Sequence, residues 1–345
     1  MYTRFGDNDI VTRQAQELVT STWTNNTNNL QVVHTASAQA DFSTATSSGQ
    51  FFIEVYNEAT SSTSAEVQYA IAYGHKNGSG SLDFTNDTGS FGIGASKVIY
   101  NQYRQLHYNN DTTNFKFGNH TPDDIFVINI DRSRYKQRLT LGSLNLHISG
   151  TSVGVTAQQT IHLTDDSVTN GQYADSNLGP VYRIVSGSNG VLSGSVTNQL
   201  TVGGEATNYG NFYPQAGLII LNAGAFSGST LAPTVTSNTA GKNHQRLLNG
   251  ISESGHFIVD TTEEINSQFY FVRARNNQFN YTNNESFVDS SNNIRFESMK
   301  LNPKVFITTV GLYNDAFELM GVAKLSQPVT KDFTKEALIR VKFDY

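Results

Sequence analysis

The sequence predicts a mainly β chain, either all-β or α+β with few short helices, arranged in sandwich-like domains. Three observations carry that prediction. Short runs rich in Val, Ile, Phe, Tyr and Thr recur along the 345 residues, and such side chains fit a pleated, half-buried surface. Connections rich in Gly, Asn, Ser and Thr separate these runs and supply turn chemistry. The final run, "KEALIRVKFDY", alternates strictly. Ile339, Val341, Phe343 and Tyr345 fall on one face, and Leu338, Arg340, Lys342 and Asp344 on the other, which is the period of a half-buried strand.

The elements follow in chain order. Residues 7–20, "DNDIVTRQAQELVT", fit a short helix capped by Asp7 or Asp9, with Ile10, Val11, Ala15, Leu18 and Val19 on a helical stripe. The turn-rich "STWTNNTNNLQ" holds the single tryptophan, Trp23. From Val32 to about Ala72 the signal is β, with "QFFIEVYNEA" and "AEVQYAIAYGH" on either side of "TSSTS". "KNGSGSLDFTNDTGSFG" reads as a long polar loop. Residues 93–108, "IGASKVIYNQYRQLHY", form the best helix candidate, with Val98, Ile99, Tyr103 and Leu106 on one side. "DIFVINIDRSRY" is then a strand with an apolar start whose entry Pro122 fixes. Residues 138–149, "RLTLGSLNLHIS", alternate through Leu139, Leu141, Leu144 and Leu146, with a bulge expected at Gly142-Ser143.

Residues 151–245 read as a β-rich middle region containing "QTIHLTDD", "PVYRIVSGSNGVL", "TNQLTVGG" and "AGLIILNA". "GSTLAPTVTSNTAG" has the composition of a linker or exposed loop, and "KNHQRLLNGI" suits one or two helical turns. Beyond 245 the chain returns to β. "KVFITTVGLYNDAFELMGVAKL" reads as a hairpin with Asn314 and Asp315 in its turn and Pro328 ending the pairing. The expected organisation is an N-terminal β-rich domain over 1–150 with one or two short helices, a middle domain or insertion over 151–245, and a C-terminal β domain over 246–345. That last part either stands alone or completes the first part around the insertion.

Composition narrows the chemistry. The net charge is −6 and only 15% of residues are charged, which argues against a nucleic-acid backbone as partner, since phosphate binding needs clustered Lys and Arg. There is no cysteine, so disulfides, thiol catalysis and cysteine-held zinc are excluded. No apolar run approaches the ~18 residues of a membrane span. The N-terminal "MYTRFGDNDIVTRQAQ" has no apolar stretch behind its charge, so a secretory leader is not expected.

The eight histidines are scattered. "IHLTDD" puts His162 near Asp165 and Asp166, either a weak cation site or a polar strand end. "FGIGASK" presents Ser96-Lys97 at a helix start without phosphate-loop spacing, as a glycine-rich helix entry does. The adjacent pairs Asp123-Asp124 and Glu263-Glu264 point to opposite faces of any strand, so neither is an acid/base couple. No G-x-S-x-G elbow occurs. The reading is therefore of a non-enzyme, with no catalytic residue, metal ligand or cofactor expected.

Aromatic residues interleaved with arginine stand out instead. "QFYFVRARNNQFNY" places Phe269 and Phe271 beside Arg273 and Arg275, the composition of buried protein–protein contacts. "DRSRYKQR" spaces Arg132, Arg134, Lys136 and Arg138 by two, as on one face of a strand. Phe269, Phe271, Arg273, Arg275, Arg132 and Arg134 are thus the interface candidates.

The ending "NPKVFITTVGLYNDAFELMGVAKLSQPVTKDFTKEALIRVKFDY" resembles the C-terminal region of virion structural proteins of contractile-tailed marine phages, particularly those infecting cyanobacteria. "FVRARNNQFNYTNNESFV", "DDIFVINIDRSRYKQRL" and "YGNFYPQAGLIILNA" are similar to segments of the same group. The resemblance implies a non-enzymatic tail, baseplate or neck component. It would be made in the host cytoplasm and held in the virion among other structural proteins, as a homo-oligomer in a symmetric assembly. It implies no catalytic residue. Two alternatives stay open: a receptor- or glycan-binding module of tail-fibre type, with a host-surface glycan as partner, and a neck or capsid-decoration protein.

Overall fold

A computed structural model describes residues 3–30, 34–35, 52–81, 94–150, 159–193, 200–226, 231–235, 243–280 and 285–345. The fold is mainly β, with large curled antiparallel sheets. The first half holds β1 (Ile10–Ser21), β2 (His34–Thr35), β3 (Phe52–Tyr56), β4 (Val67–His75), α1 (Ala95–Tyr108), β5 (Asp124–Ile130), β6 (Arg138–Leu139), β7 (Asn145–Gly150) and β8 (Gln159–Asp165). Then come α2 (Ser167–Asn170), β9 (Ala174–Ser176), β10 (Gly179–Ser188), β11 (Val191–Leu192), β12 (Leu200–Val202), β13 (Glu205–Thr207), β14 (Gly210–Tyr213) and β15 (Leu218–Asn222). The chain closes with α3 (Asn243–Ser254), β16 (Phe257–Ile258), β17 (Asp260–Ala274), β18 (Val305–Tyr313), β19 (Leu319–Lys331) and β20 (Ala337–Asp344).

The chain divides into two compact units. One comprises residues 1–17 with 264–345, and the other residues 18–263. The expected boundaries at 150 and 245 both fall inside the second unit. Position 150 cannot divide domains, because β7 and β8 on either side of it pair antiparallel, Gly150 opposite Gln159.

The 18–263 unit is built on a twelve-stranded antiparallel sheet ordered β16-β7-β8-β10-β14-β15-β5-β4-β3-β2, with β9 and β11 added onto β10. Its central strands are covered on both faces. In β5, Phe126, Ile128 and Ile130 enter one core with Leu247, Leu248 and Ile251 of α3, together with Trp23 and Phe257. Ile125 and Val127 enter a second core with Ile99 and Tyr100 of α1. In β15, Ile219 and Leu221 join the first core while Leu218 and Ile220 join the second. Two-sided burial is the reason "DIFVINI" and "GLIILN" are continuous apolar runs and do not alternate. Each such side chain contributes roughly 1.5–3 kcal/mol, so the register of these strands is firmly held.

Helix α1 lies where the sequence places it, and Asn109 ends it in the left-handed region at φ 56°. Its buried side differs from the expected stripe. Ala95, Ser96, Ile99, Tyr100 and His107 are buried, whereas Val98 and Leu106 are exposed. Ser96 turns this stripe inward. Its backbone N–H donates to Ser81 Oγ at 2.9 Å and its hydroxyl donates to the Ser79 carbonyl at 2.8 Å. Helix α3 runs for 12 residues, longer than one or two turns, because Leu247, Leu248 and Ile251 pack against Leu146 and Ile148 of the sheet.

Three sequence readings are corrected. Residues 10–21 form strand β1, not a helix. Ile10, Val11, Thr12, Val19 and Thr20 are β-branched, and pairing with β17 outweighs a weak helical period. "RLTLGSLNLHIS" is two strands, not one bulged strand. Gly142 turns the chain at φ 77°, its N–H donates to Asp165 Oδ2 at 2.8 Å, and β6 then pairs with β17 while β7 pairs with β8 and β16. "DRSRYKQR" is not a strand face. Arg132–Arg134 is a 3-10 turn capped by the Asp131 side chain, which accepts from the Ser133 N–H.

The unit formed by 1–17 and 264–345 contains the sheet β1-β17-β20 and the hairpin β18–β19. Val310 and Leu312 of the hairpin pack on Ile339 and Val341 of β20, with Tyr270, Val272, Phe343 and Phe5 around them. This is sheet-on-sheet packing of the sandwich type. The hairpin turn closes as Asn314 Oδ1 accepts from the Glu318 N–H at 2.9 Å. Pro328 does not end the pairing. The ladder breaks between Ile307 and Thr309, resumes with Ile307 opposite Val329 and continues to Val305 opposite Lys331. A proline has no N–H to give the ladder, so the strand bulges around it and rejoins.

Lys331 ends β19 fully buried. Its ammonium donates to Asn280 Oδ1 at 2.6 Å and to the Asn276 carbonyl at 3.1 Å, and burial lowers its pKa. Lys331→Met is expected to cost about 2 kcal/mol, because both acceptors lose their donor. Faster amide exchange over residues 276–280, alongside a lowered melting temperature, is the readout.

Candidate interaction face

β17 and β20 pair antiparallel, with Ser267 opposite Asp344, Phe269 opposite Lys342, Phe271 opposite Arg340 and Arg273 opposite Leu338. The pleat sorts these residues by parity. Tyr270 and Val272, with Ile339, Val341 and Phe343, face the sandwich core. Phe269, Phe271 and Arg273, with Leu338, Arg340 and Lys342, therefore share the opposite face.

That face is aromatic at its centre and cationic around it. The Arg340 guanidinium lies over the Phe269 ring, 5.3 Å from its centroid. Lys342 pairs with Asp344 at 2.8 Å, and the Ser267 hydroxyl donates to Asp344 at 2.7 Å. Those two bonds, Lys342 first, hold the Asp344 carboxyl below the usual range. Phe269 and Phe271 are half-buried, while Arg273, Leu338 and Arg340 are exposed. Arg275 lies just past the end of β17, exposed, its N–H donating to Gln278 Oε1 at 3.1 Å. Four of the six sequence candidates thus sit together. Leu338, Arg340 and Lys342 complete the patch, legible from the outward half of "KEALIRVKFDY".

The same unit exposes apolar side chains on its hairpin. Phe306, Met320 and Val322 are 63%, 69% and 55% exposed, and Leu338 on β20 is 60% exposed. Val310, Leu312 and Ala323 face the core between them, so Phe306, Met320 and Val322 belong to the outer side of the hairpin, while Leu338 belongs to the outer face of β17 and β20. Sequence alternation placed one half of each strand inward, but could not tell whether the other half meets water or protein.

Arg132 and Arg134 belong to the 18–263 unit and are bound locally. Arg132 donates to the Tyr135 carbonyl at 2.6 Å and lies over the Tyr135 ring. Arg134 pairs with Glu66 at 2.6 Å and donates to Thr24 Oγ1. Hydrogen bonds from Thr24 and Arg134 lower the Glu66 pKa. A polar cleft of about 370 Å³ opens here, lined by Trp23, Glu66, Arg134, Lys136 and Thr261 among others. Its arginine is already neutralised, so the cleft carries no free cation from Arg134.

The "IHLTDD" group resolves into a polar strand end. Asp165 accepts from the Gly142 N–H and from Ser167, and Asp166 accepts from the Arg183 N–H at 2.8 Å and from Asn170 at 3.0 Å. Both aspartates are buried, and burial raises both carboxyl pKa values. Among the described residues, no three His, Cys, Asp or Glu side chains are grouped to hold a metal ion. Among the described residues, no helix is long and apolar enough to cross a membrane.

No family model, no curated protein and no solved structure matches this chain.

Proposed function

We propose that the chain is a non-enzymatic structural subunit that bridges neighbours in a multimeric assembly, as a tail or baseplate component of a contractile-tailed phage particle. The observation that carries this reading is the outer surface of the 1–17/264–345 unit. On the outer side of β17 and β20, Phe269 and Phe271 lie with Arg273, Arg340 and exposed Leu338, while the outer side of the hairpin, across the core, separately exposes Phe306, Met320 and Val322. Exposed apolar groups, and an arginine stacked on an aromatic ring, are features of a contact surface.

Charge favours a second copy as the occupant. Residues 18–263 hold 11 Lys and Arg against 17 Asp and Glu, while residues 1–17 and 264–345 hold 12 of each. The whole net charge of −6 thus lies on the first of these units. A face bearing Arg273, Arg275 and Arg340 is complementary to that acidic unit in a neighbouring copy. Head-to-tail contacts of this kind form a ring where the rotation between copies closes. The virion placement rests on the resemblance of the C-terminal segments. Mass spectrometry and imaging of purified particles test it: the chain is expected in mature particles at a symmetric location, and its absence from them overturns the reading.

A further inference from the structure

The end of the twelve-stranded sheet carries three histidines that the proposed assembly role does not use. His147 on β7 stands directly across from His162 on β8, and the backbone N–H of His147 donates to the carbonyl of His256, the residue before β16. The three rings stack in a ladder. The His147 centroid is 3.9 Å from that of His162 and 4.0 Å from that of His256, with planes within 25° of parallel. They lie on the side of β7 opposite Leu146 and Ile148, which are in the core.

Asn145 ties the ladder to one protonation state. Its amide meets His256 Nε2 at 2.9 Å and His147 Nε2 at 3.2 Å. An amide has one donor end and one acceptor end. It can satisfy both rings only while one of them keeps a bare Nε2. A proton added at His256 Nε2, which accepts from the Asn145 amide N–H, leaves two N–H groups competing for one oxygen. Stacked rings 4 Å apart also repel once two are charged.

The ionisable groups on the packed elements are few. β8 carries His162 and Asp165, α3 carries His244, Arg246 and Glu253, and His256 precedes β16. Those whose charge acts on the His147 ring are His256 and His162. Burial first, then these two neighbours, pushes His147 down to about 4, and burial followed by His162 lowers His256.

We propose that His147, His162 and His256, with Asn145, form an acid-operated latch that holds β16 on the sheet at neutral pH and releases it on acidification. The consequence reaches the core. Phe257 follows His256 directly, is fully buried and packs edge-on against Trp23 at 4.9 Å. Its carbonyl accepts the Trp23 indole N–H at 2.8 Å. Release of β16 therefore wets the single tryptophan.

The sign follows from linkage. The fold favours neutral His147 and His256, so below the ordinary histidine value of about 6.5 the unfolded chain binds more protons. The stability contributed by the ladder is complete above that value and is lost as pH falls toward 4.

The test titrates Trp23 emission of the full chain from pH 7 to pH 4. His107 and His244 are also held neutral by burial, so variants must isolate the ladder. His162 is exposed, and His162→Gln removes one ring without touching the core. The wild type is expected to red-shift cooperatively, and His162→Gln to lower the midpoint by about half a pH unit or more. An unchanged midpoint in a folded His162→Gln overturns the proposal. Imidazole NMR of the wild type gives an independent readout. His147 and His256 titrating as a coupled pair below the ordinary range are expected, and independent titrations of these two near 6.5 overturn it.

Discussion

Phe257→Ala is expected to lower the stability of the chain by about 3–5 kcal/mol, the largest effect of any single truncation considered. The residue has no solvent exposure. Its ring meets Trp23 at 4.9 Å and Tyr69 at 5.3 Å, both edge-on, a geometry worth more than area burial alone. Its carbonyl accepts from both the Trp23 indole at 2.8 Å and the Leu30 N–H at 3.1 Å. β16 has only two residues, paired with Leu146 and Asn145, so the side chain anchors a strand that backbone pairing alone would not hold. Urea unfolding followed by Trp23 fluorescence measures the loss. A cost below about 1.5 kcal/mol would show that the surrounding side chains close over the space and that this cluster is not a keystone of the core.

Leu338→Asp combined with Arg340→Glu is expected to weaken the proposed self-association by at least about 30-fold, or 2 kcal/mol. Both residues lie on the outer side of β20, opposite Arg273 and Phe271 of β17, and both are exposed, so the fold does not depend on them. The change places two carboxylates where an acidic neighbour would dock, turning attraction into repulsion. Sedimentation across a concentration series reads the outcome, with circular dichroism confirming that the variant is folded. Oligomers of wild type and variant in equal proportion would eliminate this face as the contact. Raised salt is expected to weaken the proposed contact between copies, because exposed charge pairs are screened.

Much of the fold was legible because its signals are local. β3 with β4, β18 with β19, and β20 announce themselves by β-branched runs and period-two alternation, and α1 by its helical stripe. What was not legible has one physical cause. β1 carries a weak helical period, yet it is a strand because β17 offers it a partner. Gly142 sits in a run that alternates correctly, yet the chain turns there because Asp165, 23 residues later, accepts its N–H. The arginines 132 and 134 have strand spacing, yet Tyr135 and Glu66 engage them in a turn. The histidine ladder left no trace in the sequence, since its members at 147, 162 and 256 are brought together only by pairing across β8, β7 and β16.

By itself, the sequence determined the mainly β class, the strand character of "DIFVINI" and "GLIILN", the inward set of the last strand and the aromatic–arginine pattern of β17. Each is a property of neighbouring residues, set by side-chain volume, branching and period. Tertiary structure alone decided that residues 1–17 join 264–345 in one unit, that Arg340 stacks on Phe269, and that His147 stands between two other imidazoles. These depend on which strands pair. Pairing is settled by the burial and hydrogen bonding of the whole sheet, a sum over distant residues that no local window contains.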